Sequence, residues 1–474
     1  MSDMSPPRLL HLAQKSLLGH EALAILSLDQ LPREMFPALF LEAFNMRLLD
    51  TLKAMVRVWP FEFLPLGALM KSPEVDILRA VLDGLDLLCA QKSHSRRGKL
   101  HVLDLRDAGL NFWNVWAESL DDACSPKPKM KRLPVEHKGP KSALKVIANV
   151  YLTTATPDEF LTHLLQWVKE RASLVHLCCH QLKISASLIH SMSKFLDILE
   201  LGCIQEVEVF CDWQLSALAK FAPFLGRMSS LRKLSLAYIS VTLLVTIEEM
   251  IESIFQFASQ FAKLPHLCSL HIRSCYFVNQ VLRCLKSPLE TLFVKACLLS
   301  EADVCYLSQC PSLRELKHLH LSGVPLTDIS PEPLQVLLER VAATLLTLNL
   351  MDCEITDSQL NAILPALSQC YQLTTLSFWG NRISMAMMEK LLQHTGNLSA
   401  LRLELYPAPL ESYDTQGIVQ RERFFHLCTQ LMGMLEGVRE PKQVVFSTDP
   451  CGKCAQRMQF GLNHSNQCHC YLLD

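Results

Sequence analysis

Glycine is scarce in this 474-residue chain, at 16 residues, which leaves little room for flexible linkers. No uncharged apolar run reaches the length needed to span a bilayer, so no membrane helix is expected. An excess of charge is also missing. Lys plus Arg number 45 against 47 Asp plus Glu, a net charge of −2, so no global field draws in nucleic acid or a membrane surface. There is no Gly-rich phosphate loop, no His-Glu-x-x-His helix and no Gly-x-Ser-x-Gly elbow. With these signatures gone, the expectation is a non-catalytic protein that works by binding. The first twenty residues do not form a signal peptide, because Asp3, His11, Gln14 and Lys15 interrupt any apolar core.

Two things are plentiful. Half of the residues are hydrophobic, enough for a large core, and 19 are cysteine. An odd cysteine count without a secretory leader points to a reduced, cytosolic or nuclear protein whose cysteines serve mainly as small core residues.

The hydrophobic residues are not spread at random. Leu373, Leu376, Phe378, Asn381 and Ile383 follow the leucine-rich-repeat pattern: apolar at i, i+3 and i+5, an Asn three later, then another aliphatic. The same first position recurs at Leu174, Ile204, Leu231, Leu267, Leu289, Leu316, Leu345, Leu373 and Leu398. The intervals are 30, 27, 36, 22, 27, 29, 28 and 25 residues, and the outlying 36 and 22 average 29. The Asn slot holds Cys275, Cys297, Cys353 and Asn381, and is filled differently by Ile239 and Val324. Helical stretches such as 333–343 and 358–370 lie between the strands. The fold class is therefore α/β: a leucine-rich-repeat solenoid, a horseshoe with strand plus helix per repeat, closed by an N-terminal helical cap. The expected organisation is a helical cap over 1–98, a first leucine-rich strand over 99–120 and a basic, Pro-rich loop over 121–142. The solenoid proper then runs over 143–412, and 413–474 forms a C-terminal helix and Cys-rich tail.

In this register the residues beside the inward apolar positions face the concave surface. Among them are His271, Arg273, Phe293, Lys295, His318, His320, Asn349, Trp379 and Arg402. Large aromatics near cations are typical of protein-binding hot spots. The register alone accounts for the clustering of His271, His318 and His320, so no metal is assigned to them. Helical periodicity runs from Leu9 through Leu26 and again over 38–56. The run Lys127, Lys129, Lys131, Arg132 fits a nuclear-import tract or a solvated loop equally well. No cofactor is implied, save that Cys451, Cys454, Cys468 and Cys470 have the spacing of a tetrahedral four-cysteine structural zinc site. Four free thiols in a polar tail are the alternative.

Several blocks resemble the PRAME (preferentially expressed antigen in melanoma) family. They are residues 16–39, 52–70 with Trp59-Pro60-Phe61 and Leu64-Pro65-Leu66-Gly67, 100–106, 321–334, 373–381 and 405–413. The resemblance covers essentially the whole chain. It implies a leucine-rich-repeat substrate receptor of a cullin-2 ubiquitin ligase, bound through elongin C and elongin B. It carries elongin docking onto Leu18, Ala22 and Leu26, spaced to share one helical face, and cullin selection onto Leu31, Pro32, Met35 and Leu39. The implied setting is cytoplasmic, nuclear or both. The family's other activity is repression of retinoic acid receptor signalling, through Leu-x-x-Leu-Leu helices in a nuclear-receptor groove. This chain has two such segments, Leu161/Leu164/Leu165 and Leu334/Leu337/Leu338, both at positions a solenoid should bury.

Overall fold

The computed structural model describes residues 9–70, 74–90, 99–106, 113, 144–153, 158–185, 193, 195–240, 246–451, 454–461 and 465–466. They fall into two compact units, Met1–Ile204 and Gln205–Asp474. The basic run at 127–132 lies outside the described residues.

The first unit opens with helices Leu9–Leu18, Glu21–Ser27, Phe36–Asn45, Leu49–Arg57 and Val75–Ala90. The helix expected over 38–56 is thus two helices. Arg47 adopts φ 55°, and the Arg47 and Leu48 amides donate back to Phe44 O and Ala43 O. This is a helix-ending motif usually built on glycine. Trp59 is fully buried beside Phe36 and Phe40, at ring-centroid distances of 6.1 and 5.2 Å, and Trp113 stacks on Phe40 at 5.5 Å. Four parallel strands pair in chain order: β1 (Phe63–Leu64), β2 (Val102–Asp104), β3 (Leu144–Leu152) and β4 (Val175–Ile184). Helix Glu159–Glu170 joins the last two, its first turn capped by the Asp158 carboxylate accepting from the Leu161 amide.

The second unit is built rung by rung from the apolar repeat. Nine parallel strands stand in chain order: β5 (Glu206–Phe210), β6 (Lys233–Ala237), β7 (Ser269–Arg273), β8 (Thr291–Lys295), β9 (His318–Ser322), β10 (Thr347–Asn349), β11 (Thr375–Ser377), β12 (Leu403–Pro407) and β13 (Gln443–Ser447). The first eight are each followed by helical segments, and after β13 two short antiparallel strands, β14 (Gln459–Gly461) and β15 (Ser465–Asn466), finish the described chain. From β6 to β11 the inward positions align one above another: Leu234, Leu270, Leu292, Leu319, Leu348 and Leu376 form a continuous register. All six are fully buried, each worth roughly 1.5–3 kcal/mol against exposure. The uneven intervals are absorbed outside the sheet. The 36-residue repeat carries helix Ile247–Ala258 and a 3-10 extension to Lys263, and the 22-residue repeat only the short helix Val278–Cys284.

One turn recurs after every strand from β6 to β11. A residue in the left-handed region, at Tyr238, Ser274, Ala296, Gly323, Asp352 and Gly380, stands directly before the Asn/Cys slot, and after β10 Glu354 beyond the slot is left-handed as well. Where the slot holds Asn381 or Cys297, its side chain accepts from amides of the preceding turn. The Asn381 Oδ1 accepts from the amides of Cys353 (3.2 Å) and Ile355 (3.0 Å), while its Nδ2 donates to Leu350 O (2.8 Å) and Phe378 O (2.7 Å). Cys297 Sγ accepts more weakly from the Cys275 amide at 3.4 Å. The mixed α/β leucine-rich-repeat fold expected from the spacing is the observed one.

Candidate functional site

The outward residues of the strands build three rows on the open face of the sheet. The middle row aligns Glu208, Ser235, His271, Phe293, His320, Asn349 and Ser377. At its centre is a ladder of three rings. His271 stacks on Phe293 at 5.3 Å with a 17° tilt, and Phe293 meets His320 at 5.3 Å. Burial, then the nearby Lys233 ammonium and His320, pushes the His271 imidazole down to about 4. Burial, then His318, lowers His320 as well. The ladder is therefore neutral at physiological pH, an apolar strip with polar edges. Ser269 Oγ lies 3.0 Å from His271 Nε2, and Thr347 Oγ1 lies 3.0 Å from His318 Nδ1.

Charge lies to either side of the ladder. In the row above, Arg273 and Lys295 are register neighbours, and among the described residues neither forms an ion pair. At the other edge Lys233 is held by Glu208 at 3.3 Å and Glu206 at 3.8 Å. Two adjacent unpaired cations beside an aromatic strip can receive acidic side chains flanking an apolar one. Trp379 is half-buried and its indole N–H donates to Val445 O at 3.4 Å, so it lies against the last parallel strands with its edge engaged.

Arg402 is not on this face. Leu398-x-x-Leu401-x-Leu403 was the expected rung, but Thr375 pairs with Leu403, Leu376 with Glu404 and Ser377 with Leu405. The register is displaced by three residues, so Leu401, Glu404 and Tyr406 take the core positions, and Leu403 and Leu405 face outward. Glu404 is completely buried, bonded to Arg439 from the end of helix Arg421–Val438 and accepting from the Tyr406 hydroxyl at 2.6 Å. The buried charge pair forms in this displaced register, which hydrophobicity alone left open. Following Arg439, β13 adds a further rung with Val444 and Phe446 buried, in a stretch that reads from sequence only as a tail.

The segment expected to dock elongin divides at Gly19 and His20. Leu18 closes the first helix, buried at 1% exposure, while Ala22, Leu23 and Leu26 lie exposed on the second, Leu26 at 77%. The expectation that Leu18, Ala22 and Leu26 share one helical face is corrected: the i, i+4, i+8 spacing needs an unbroken helix, and this one is broken. The Glu21 carboxylate accepts from Thr51 N at 3.2 Å and Thr51 Oγ1 at 3.0 Å, fixing the second helix. Of the cullin-selecting positions, Pro32 is exposed, Leu31 and Met35 are half-buried and Leu39 is fully buried. The leucines of both Leu-x-x-Leu-Leu segments, Leu161, Leu164 and Leu165 and likewise Leu334, Leu337 and Leu338, are core residues. Of the tail cysteines, Cys451 and Cys454 are half-buried at a turn, and Cys468 and Cys470 lie outside the described residues.

Sequence reasoning missed one surface. Helix Ile247–Ala258 exposes Ile247, Ile251 and Phe255 at every fourth position, beside a cleft of about 380 Å³ walled by Met250, Ile254 and Tyr276. The four-residue apolar spacing was there to be read, but it looks the same as a buried stripe.

Residues 6–113 match the PRAME N-terminal domain and residues 144–470 the PRAME C-terminal domain. The chain belongs to the PRAME family. It is 52% identical to human PRAME family member 12 over 100% of this chain and 98% of that protein, and 50% identical to human PRAME family member 8 over 99% of this chain and 100% of the relative. Among solved structures, the mouse RP105/MD-1 complex is similar at 15% identity and a TM-score of 0.31, over 55% of this chain and 41% of that one. That likeness is too slight to carry an argument. Among the described residues of this PRAME family chain, no helix is long and apolar enough to cross a membrane.

Proposed function

We propose that this chain is the substrate-recognition subunit of a cullin-2 ubiquitin ligase, joined to it through elongin C and elongin B. The observation that carries the reading is the exposed apolar patch of Ala22, Leu23 and Leu26, within the stretch where PRAME-family proteins have their docking motif. A short helix with an apolar face is the kind of element that seats in a partner's groove. Leu31, Pro32 and Met35 follow on the same stretch of chain and would contact the cullin, with Leu39 supporting them from the core. The target would lie on the open face, its apolar side chain on the His271–Phe293–His320 ladder and its acidic groups at Arg273 and Lys295. Binding alone would do the work, by raising the target's local concentration near the ubiquitin-loaded enzyme. The same reading gives the tail a structural zinc held by Cys451, Cys454, Cys468 and Cys470.

The test is co-purification of the full chain with elongin B and elongin C. Leu26→Asp puts a charge on an exposed surface and should abolish capture while leaving the circular dichroism spectrum and melting midpoint unchanged. Undiminished capture by a folded Leu26→Asp protein would sink the docking assignment. Leu18→Asp is the poorer probe, because a charge at a buried position unfolds the helix pair whatever it binds.

A further inference from the structure

Several of the buried cysteine thiols in the described residues behave as small core groups that lean on a nearby carbonyl. Cys275 donates to Arg273 O, Cys297 to Lys295 O, Cys370 to Ala366 O and Cys179 to Gln181 O. One pair in the first unit does not. Cys178 on β4 and Cys203 in the 3-10 turn Leu201–Cys203 bring their sulfurs to 3.0 Å, and Cys178 Sγ is 3.5 Å from Glu200 Oε2. The three ligand atoms all lie within 4.8 Å of one another. Both thiols are buried, in a small cluster with Ile147 and with Val102 packed against it, while Glu200 is exposed.

We propose that Cys178, Glu200 and Cys203 form a zinc site with two thiolate ligands, one carboxylate ligand and a fourth position open to water. Two sulfurs and an oxygen suit a borderline-soft ion, and three protein ligands plus water is a common tetrahedral arrangement. Binding forms two Zn–S bonds and one Zn–O bond and releases the two thiol protons to solvent. The charges balance: two thiolates and a carboxylate with Zn²⁺ leave −1, and the Lys145 ammonium, whose charge acts on both sulfurs, offsets it. The exposed side of Glu200 gives the ion its way in. A disulfide between the two cysteines is the competing chemistry, and it would leave Glu200 and Lys145 without a role.

The full-length, reduced protein is loaded with zinc, desalted and analysed for metal per chain, then loaded with cobalt for spectroscopy. Cys178→Ser and Cys203→Ser should each lose one equivalent of zinc and the matching sulfur-to-cobalt charge-transfer band. A Cys451→Ser, Cys454→Ser double variant can lose only a metal held in the tail and should keep the equivalent and the band that Cys178→Ser and Cys203→Ser remove, which separates the two sites. Glu200→Gln, an exposed change that spares the fold, should weaken retention against a chelator by about tenfold or more. Zinc should also protect the pair from diamide. The proposal is overturned if folded Cys178→Ser, Cys203→Ser and Glu200→Gln proteins hold as much metal as the parent. It is equally overturned if oxidant yields a Cys178–Cys203 disulfide, two hydrogens lighter, whether or not zinc is present.

Discussion

Rungs β11 and β12 are neighbours in parallel register, yet they fill corresponding places in the core by different physics. In β11 the inward residues are Leu376 and Phe378, fully buried and held by dispersion and the exclusion of water. In β12 they are Glu404 and Tyr406, with Arg439 brought in from the end of the following helix. An apolar rung tolerates small displacements, because hydrophobic contact has no direction. A buried carboxylate tolerates none, because its partners must stand where its oxygens point. The leucine rungs supply stability, and we propose that the charged rung selects the register.

Removing one partner should break the comparison most violently. Arg439→Ala leaves the Glu404 carboxylate buried without its cation and should cost about 3–5 kcal/mol. Leu376→Ala on the neighbouring rung should cost about 2–5 kcal/mol through its cavity. The two are told apart by a compensating change: Glu404→Leu, Tyr406→Phe and Arg439→Met together should restore stability to within about 1 kcal/mol of the parent or exceed it. If hydrogen exchange then shows β12 still paired Thr375 to Leu403, the charge pair is not what selects the register.

A smaller effect separates the turns. Gly380 (φ 72°) and Gly323 (φ 62°) occupy the same left-handed position of two repeats. A Cβ at Gly380 would come to 1.7 Å from Asp352 Oδ1, whereas at Gly323 the nearest atom is 3.6 Å away. Gly380→Ala should therefore cost about 1–3 kcal/mol and Gly323→Ala about 1 kcal/mol, read from urea midpoints. Equal costs would mean that backbone conformation alone sets the penalty.

The smallest effect contrasts the ring ladder with the charged rung through pH. The folded His271 titrates near 4, below its ordinary value of 6.5, so between those values the unfolded chain holds more protons. Stability should fall as pH drops from 6.5 towards 4 and then level off, and His271→Phe should flatten that limb. Tyr406 shows the opposite sign. Burial first, and then Glu404, raises its hydroxyl well above 10, so its contribution is complete below 10 and is lost as the solution becomes more alkaline. Thermal melts across pH, with Tyr406→Phe as the second control, check both directions.

How much was legible depended on how local the deciding interaction is. The rungs β5 to β11 could be read because one apolar period repeats and each strand needs only its own residues to orient. Leu398-x-x-Leu401-x-Leu403 satisfies that period as well as Leu401-x-x-Glu404-x-Tyr406 does, and reads as the more hydrophobic of the two. The tie is broken by Arg439, whose place beside Glu404 no local spacing reveals. The docking stretch misled for a related reason: the spacing of Leu18, Ala22 and Leu26 assumes a continuous helix, and the chain turns at Gly19 and His20. The thiol pair at Cys178 and Cys203 was invisible, since nothing in a strand pattern says which side chains of different elements will meet.

By itself, the sequence determined the repeat, the alternation of strand and helix, the turn slot that Asn381 and the cysteines fill, and membership of the PRAME family. These follow from short-range periodicity and residue chemistry, which act within a single rung. Only the tertiary structure decided that Glu404 enters the core, that Leu18 is buried while Leu26 is not, and that His271, Phe293 and His320 form one neutral ladder. Each of those depends on a partner far along the chain, and on the burial that makes its charge or contact count.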